Sequence, residues 1–171
     1  MARTETRELS VAHMKTPIGV LQVAASEEGL VAVVFPSETR RSFDKAKGPE
    51  KARAHLDAAV NALNEYFKGA RTDFSDLTLA PIGTDFQMSV WKALMKIPFG
   101  QTKSYGDIAR AIKNPKGVRA VGLANGKNPI PVIVPCHRVI GTNGTLTGFG
   151  GGIPTKKWLL AHEGVETPAL I

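Results

Sequence analysis

The hydrophobic periodicity of this chain changes partway along, and that change constrains the fold more than any other feature. Residues 9–15, 20–25 and 30–35 are short Val- and Leu-rich runs. Turn chemistry separates them, Thr16-Pro17-Ile18-Gly19 and then Ser26-Glu27-Glu28-Gly29. Such runs predict an antiparallel meander. From Glu50 the spacing lengthens: Ala52, Leu56, Val60, Leu63 and Phe67 recur every three or four residues until Gly69. That is the stripe of an amphipathic helix. Residues 37–49 read as a loop, residues 74–80 as a possible further strand, and Pro81 with Gly83 as a junction.

Beyond the junction the signals are helical. Thr84 with Gln87 forms a capping-box pattern before FQMSVWKALMKI, and Ser104 with Asp107 repeats it before Tyr105. Asn114-Pro115 breaks the chain, and KGVRAVGLANG predicts a third short helix, so the pair reads as helix-turn-helix. Residues 129–140 look β-rich, 141–152 form a Gly- and Asn-rich loop, and a final helix runs from about Pro154 to Glu163. Strands first and helices afterwards make an α+β class. The expected division is 1–82, an α/β structural domain, and 83–171, a helical domain carrying an active-site strand or loop.

Charge follows the same division. Residues 1–83 hold 11 Lys+Arg and 11 Asp+Glu; residues 84–171 hold 11 Lys+Arg and only 4 Asp+Glu, so this half carries the whole net +7. A one-sided basic surface points to a polyanion, most often nucleic acid, although a solvated basic face gives the same count. The candidate recognition helix, with Lys116, Arg119, Ala120 and Gly122, suits close approach to a narrow groove with one inserted side chain. It equally suits a core helix whose arginine reaches solvent. No apolar run is long enough to cross a membrane, and MARTETRELS has no secretory character. With a single cysteine an internal disulfide is impossible, and a reducing, cytoplasmic setting is expected. One Cys and four scattered His argue against structural zinc.

That cysteine, Cys136, lies in PVIVPCHRVIG. It is open to three readings: a core thiol, a Cys–His hydrolase nucleophile, or a thiolate that keeps the group it accepts. On an extended strand His137 would face the opposite side from Cys136, so a bend or a bridging water is needed to connect them.

Pro135-Cys136-His137-Arg138-Val139 closely resembles the active-site signature of the O6-alkylguanine-DNA alkyltransferases. The resemblance includes Gly83-Thr84-Asp85-Phe86-Gln87, Val90-Trp91-Lys92-Ala93-Leu94 and Ile97-Pro98-Phe99-Gly100. It continues through Ser104-Tyr105-Gly106-Asp107-Ile108-Ala109, Arg119-Ala120-Val121-Gly122, Asn125-Gly126 and Asn128-Pro129. It ends with Leu146-Thr147-Gly148-Phe149, Gly151-Gly152 and Trp158-Leu159-Leu160. Residues 83–164 match almost continuously, and 9–80 only in layout. The resemblance implies a ribonuclease H-like amino-terminal domain and a single-turnover transfer of the alkyl group from O6-alkylguanine, and from O4-alkylthymine, to Cys136. No cofactor and no metal are implied. His137 would take the thiol proton through a water, with Glu163 orienting it and the pair enriching the thiolate. Tyr105 would protonate the departing base, and Arg119 would fill the gap after the base flips out. Lys116, Ala120 and Gly122 would join Tyr105 and Arg119 along the minor groove. Asn128 would tie the turn to the active-site strand, and Arg138, Val139, Gly150 and Lys156 would support the pocket. The Cys136 and Val139 carbonyls would receive the guanine amino group. Gly150 replaces a side chain present in some relatives, which implies a roomier pocket. The expected partner is double-stranded DNA, bound by a monomer with little sequence preference. A binding module that signals without repairing is the other class of function.

Overall fold

The computed structural model describes residues 8–38, 41–146 and 148–166. Three antiparallel strands, β1 (Ser10–Thr16), β2 (Gly19–Ser26) and β3 (Gly29–Val34), form a sheet in sequence order. The pairing of Thr16 with Gly19 and of Ser26 with Gly29 closes both turns where the sequence places them. β3 is buried at every residue because both sheet faces are covered. On one face α1 (Glu50–Phe67) lays Ala52, Leu56, Ala59, Leu63 and Tyr66 against the sheet. On the other, Val11, Ala24, Val31 and Ala32 lie under Leu9, Phe43 and Ala80. Residues 74–80 do not form a strand. They meet β3 through one isolated bridge, Leu30 with Leu79, because only Leu30 exchanges hydrogen bonds with them.

The remaining helices are α2 (Asp85–Leu94), α3 (Tyr105–Ala111), α4 (Val118–Gly126) and α5 (Ile153–His162). Both capping boxes form, Thr84 with Gln87 and Ser104 with Asp107. α3 ends in a Schellman motif, with the Lys113 and Asn114 amides bonded to the Arg110 and Ala109 carbonyls and Lys113 at φ 62°. Pro115 then bars any continuation, and α4 restarts after Gly117 to complete the helix-turn-helix. Gly83 permits a close approach, since a Cβ there would sit 2.5 Å from the Trp91 ring. Trp91 in turn donates from Nε1 to the Ala124 carbonyl at 2.9 Å, tying α2 to α4. A single buried cluster runs from Leu21 and Val23 of the sheet through Val90 and Leu94 to Cys136 and Leu159.

The stretch around the cysteine is not the expected strand. Pro129, Pro131 and Pro135 withhold three amide donors, so a ladder cannot form, and Cys136–Arg138 is one turn of 3-10 helix. Only β5 (Val139–Ile140) is extended. It pairs in parallel with β4 (Lys103–Ser104), Lys103 opposite Val139 and Ser104 opposite Ile140. That short ladder fixes the start of α3, and hence Tyr105, beside the end of the cysteine turn.

Candidate active site

At about three residues per turn, successive side chains of a 3-10 helix diverge by roughly 120° rather than 180°. The turn therefore lets Cys136 and His137 both face the interior, where they are 5% and 0% exposed. Arg138, at 6%, completes a buried row of three consecutive reactive or charged side chains.

Glu163 reaches this row from the end of α5. It occupies the C-cap, and Gly164, at φ 79°, closes a Schellman motif that turns the chain away. Its carboxylate is surrounded by donors. Arg138 donates from Nε to Oε1 at 2.7 Å and from Nη2 to Oε2 at 3.0 Å. His137 Nε2 lies 2.7 Å from Oε2, and the Tyr66 hydroxyl donates to the same oxygen at 2.7 Å. Burial alone would raise the Glu163 carboxyl, but the bonds from His137 and Arg138 outweigh it and hold it well below the usual carboxylate range. An ionised carboxylate only accepts, so Nε2 of His137 carries the hydrogen. Burial, opposed by Glu163, lowers the His137 pKa and keeps the ring neutral. Its Nδ1 is then a buried lone pair, with no hydrogen-bond partner among the described residues.

Burial also pushes the Cys136 thiol up to about 11, against the pull of Asn128 and the Lys156 cation. Burial is the largest of these causes and favours the protonated thiol. Lys156 is fully buried, donates to the Val139 carbonyl at 2.6 Å, and is lowered to about 8 by burial. Asn128 clamps the approach to the turn, donating to the Val134 carbonyl at 2.7 Å and accepting from the Ile130 amide at 2.9 Å. Val132, between these contacts, is held at φ 73°, a left-handed conformation rare for a β-branched residue.

Cys136 opens on a cavity of about 30 Å³ lined also by Asn125, Asn128, Phe149 and Gly150 and, from the amino-terminal half, Phe35 and Glu38. Phe35 packs on Phe149 at 5.4 Å, and the Ser37 hydroxyl donates to the Gly150 carbonyl at 3.4 Å. Gly150 is exposed, and a Cβ there would meet nothing within 4 Å, so packing does not require a glycine. Thr147 of the quoted loop motif lies outside the described residues, as do residues 1–7.

Tyr105 begins α3, half-buried beneath α4, and a Cβ on Gly122 would lie 3.9 Å from its ring. Gly122 thus faces Tyr105 rather than open solvent. Lys116, Arg119 and Ala120 are exposed, and Leu123, one turn on, is 64% exposed. Sequence reasoning missed Tyr66, Phe35 and Glu38, which come from the amino-terminal half and carry no local signature. Asn125 was visible within a motif but had no role; its Oδ1 is buried without a partner among the described residues.

A family model for the ribonuclease-like domain of 6-O-methylguanine DNA methyltransferase matches residues 10–81, and one for the DNA binding domain matches residues 85–165. The methylated-DNA--protein-cysteine methyltransferase of Methanosarcina mazei is 49% identical over 153 residues, covering 88% of this chain and 94% of its own. The Mycobacterium tuberculosis protein of the same name is 48% identical over 160 residues, 92% of this chain and 95% of its own. A crystal structure of Mycobacterium tuberculosis OGT in complex with DNA superposes with a TM-score of 0.80 at 47% identity, covering 92% of this chain and 94% of that one. Matched in chain order across both halves, and at nearly full length by its relatives, the chain belongs to the 6-O-methylguanine DNA methyltransferase family.

Proposed function

We propose that this protein repairs DNA by transferring the alkyl group of O6-alkylguanine, and of O4-alkylthymine, to its own Cys136, once per molecule. The observation that carries the reading is a buried thiol at a cavity, followed directly by a neutral histidine whose Nδ1 has no partner among the described residues and whose Nε2 is held by a carboxylate. Sulfur attacks the alkyl carbon, an S–C bond forms, and the C–O6 bond breaks with its electron pair leaving on guanine. The thiol proton passes to His137 Nδ1 through a water, in step with the attack, because the thiol is protonated at rest. Tyr105 returns a proton to the departing base. The thioether produced is a poor leaving group, so the alkyl group stays on the protein.

Double-stranded DNA is the partner, entered from the minor groove by α4. The exposed Arg119 fills the stack while the target base is rotated out, and Ala120 and Lys116 meet the groove and the phosphates. Holding one water takes about 10–15 Å³. The cavity of about 30 Å³ is therefore far too small for a purine, so entry of the base requires its lining to open. The Cys136 and Val139 carbonyls then receive the guanine amino group, with Lys156 behind Val139 and Arg138 behind His137. The open space at Gly150 supports acceptance of alkyl groups larger than methyl. Residues 1–82 and 83–171 act as a supporting and a reacting domain. Among the described residues no helix is long and apolar enough to cross a membrane, and the lone unpaired thiol supports a reducing, cytoplasmic location.

Incubation with a duplex containing O6-methylguanine, followed by peptide mass spectrometry, tests the reading. One methyl is expected on the Cys136 peptide, at one equivalent per protein. Tight binding with no mass change would mean a module that recognises damage without repairing it.

A further inference from the structure

We propose that Tyr66, on the helix of the amino-terminal half, is a positioning residue of the transfer site: its hydroxyl holds the Glu163 carboxylate and thereby keeps His137 in its proton-accepting form. This rests on the alkyl-transfer reading above.

Tyr66 is fully buried near the end of α1, and its hydroxyl lies 2.7 Å from Glu163 Oε2, 97 residues away in sequence. His137 Nε2 and Arg138 Nη2 converge on the same oxygen. The Tyr66 ring cannot swing aside. It is wedged against Phe67, Phe74 and Phe99 at centroid distances of 5.2, 5.6 and 6.3 Å. Its backbone is held as well, because His162, the neighbour of Glu163, lies with Nε2 2.6 Å from the Tyr66 carbonyl. Residues 162 and 163 at the end of α5 are thus gripped by one residue of α1 at two points.

The chemical consequence follows from sharing an acceptor. Each donor on Oε2 stabilises its negative charge and so lowers the basicity of that oxygen towards the others. Tyr66 does this as a neutral donor, since burial and the facing carboxylate raise its own pKa and prevent ionisation. A less basic Oε2 stabilises an imidazolium less, so His137 remains neutral and Nδ1 remains able to take a proton. The ionisable groups around this arrangement are Tyr66 from α1, His137 and Arg138 from the cysteine turn, Glu163 and His162 from the end of α5, and Cys136 and Lys156 on the far side of the turn.

Two replacements in the full chain separate this role from packing. Tyr66→Phe keeps the ring and removes the donor; 3,5-difluorotyrosine placed at position 66 keeps the ring and strengthens the donor. Single-turnover transfer from an O6-methylguanine duplex is followed against pH, and the His137 ring is titrated by NMR in unreacted protein. The Phe variant should move the acid limb and the His137 pKa up by about 0.5–1 unit, slowing transfer by about 3–10-fold at pH values below that limb and leaving the neutral-pH rate little changed. Duplex affinity should stay within about twofold. The fluorinated residue should move both downward. Coincident His137 titrations in folded wild-type and Phe proteins, or shifts of the same sign from both replacements, would overturn the assignment. Absence of methyl transfer in the wild-type protein would instead refute the reading it rests on, and the NMR titration still decides the part played by Tyr66.

Discussion

Arg138 and Glu163 form a two-point ion pair sealed inside the protein, with Nε to Oε1 at 2.7 Å and Nη2 to Oε2 at 3.0 Å. Its Nη1 donates to the Ile97 carbonyl at 2.6 Å, and the group lies 5.9 Å from the Phe99 ring centroid. The residue after Cys136 and His137 therefore fixes the end of α5 against the loop that follows α2. A buried pair contributes little beyond an apolar replacement, but removing one partner strands the other. Glu163→Gln leaves the Arg138 charge unneutralised and is expected to cost about 3–5 kcal/mol. Chemical denaturation measures this, and transfer in the surviving folded fraction should also fall.

Stability should decline on acidification in two stages. The folded pKa of His137 lies below the ordinary 6.5, so the unfolded chain takes up its proton first, and stability is lost as the pH falls through about 6.5 toward the folded value. The folded pKa of Glu163 is likewise depressed. Its contribution is fully present above the ordinary 4.5 and is lost as the pH falls below that toward the folded value. Thermal unfolding followed against pH should show both stages, and His137→Gln should remove the first.

Asn128 makes two buried hydrogen bonds to backbone groups six and two residues away. Asn128→Ala leaves the Ile130 amide without its partner, while the Val134 carbonyl still accepts from the Cys136 amide at 2.8 Å. With one buried group left unsatisfied, a loss of about 1–3 kcal/mol is expected. A lower urea midpoint at unchanged m-value would show it.

Arg119 is exposed on α4 and its removal should change stability by no more than about 0.5 kcal/mol. Arg119→Ala should nevertheless slow transfer from duplex DNA by about tenfold or more while leaving reaction with free O6-methylguanine base unchanged. Parallel single-turnover assays on the two substrates make the comparison.

Binding should weaken with salt, with a log–log slope of roughly −3 to −5 and little dependence on sequence. Lys116→Ala should reduce that slope by about 1 on every duplex. Fluorescence anisotropy across a salt series reads both effects, and a flat salt response would contradict a phosphate-contacting surface.

What could be read directly from the sequence was what is decided within a few residues. The turns at Thr16–Gly19 and Ser26–Gly29, the stripe of α1, the two capping boxes and the Asn114-Pro115 break each depend on hydrogen bonds or steric limits spanning about four positions. Cys136 and its neighbours were marked by the motif itself, and the charge excess pointed to the half that carries α4. Tertiary structure decided the rest. Residues 74–80 had strand composition but found only Leu30 to pair with. The apolar, β-branched run before Cys136 became a turn because its prolines cannot supply a ladder, and that bend brought His137 inward beside the thiol. The thiol's acidity depends on burial, which no local pattern encodes. Tyr66 occupied a helix position that sequence could not distinguish from any other apolar one. Packing α1 against the end of α5 carried its hydroxyl to Glu163, 97 residues away, because long-range partners are chosen by which surfaces bury each other and not by the chain between them.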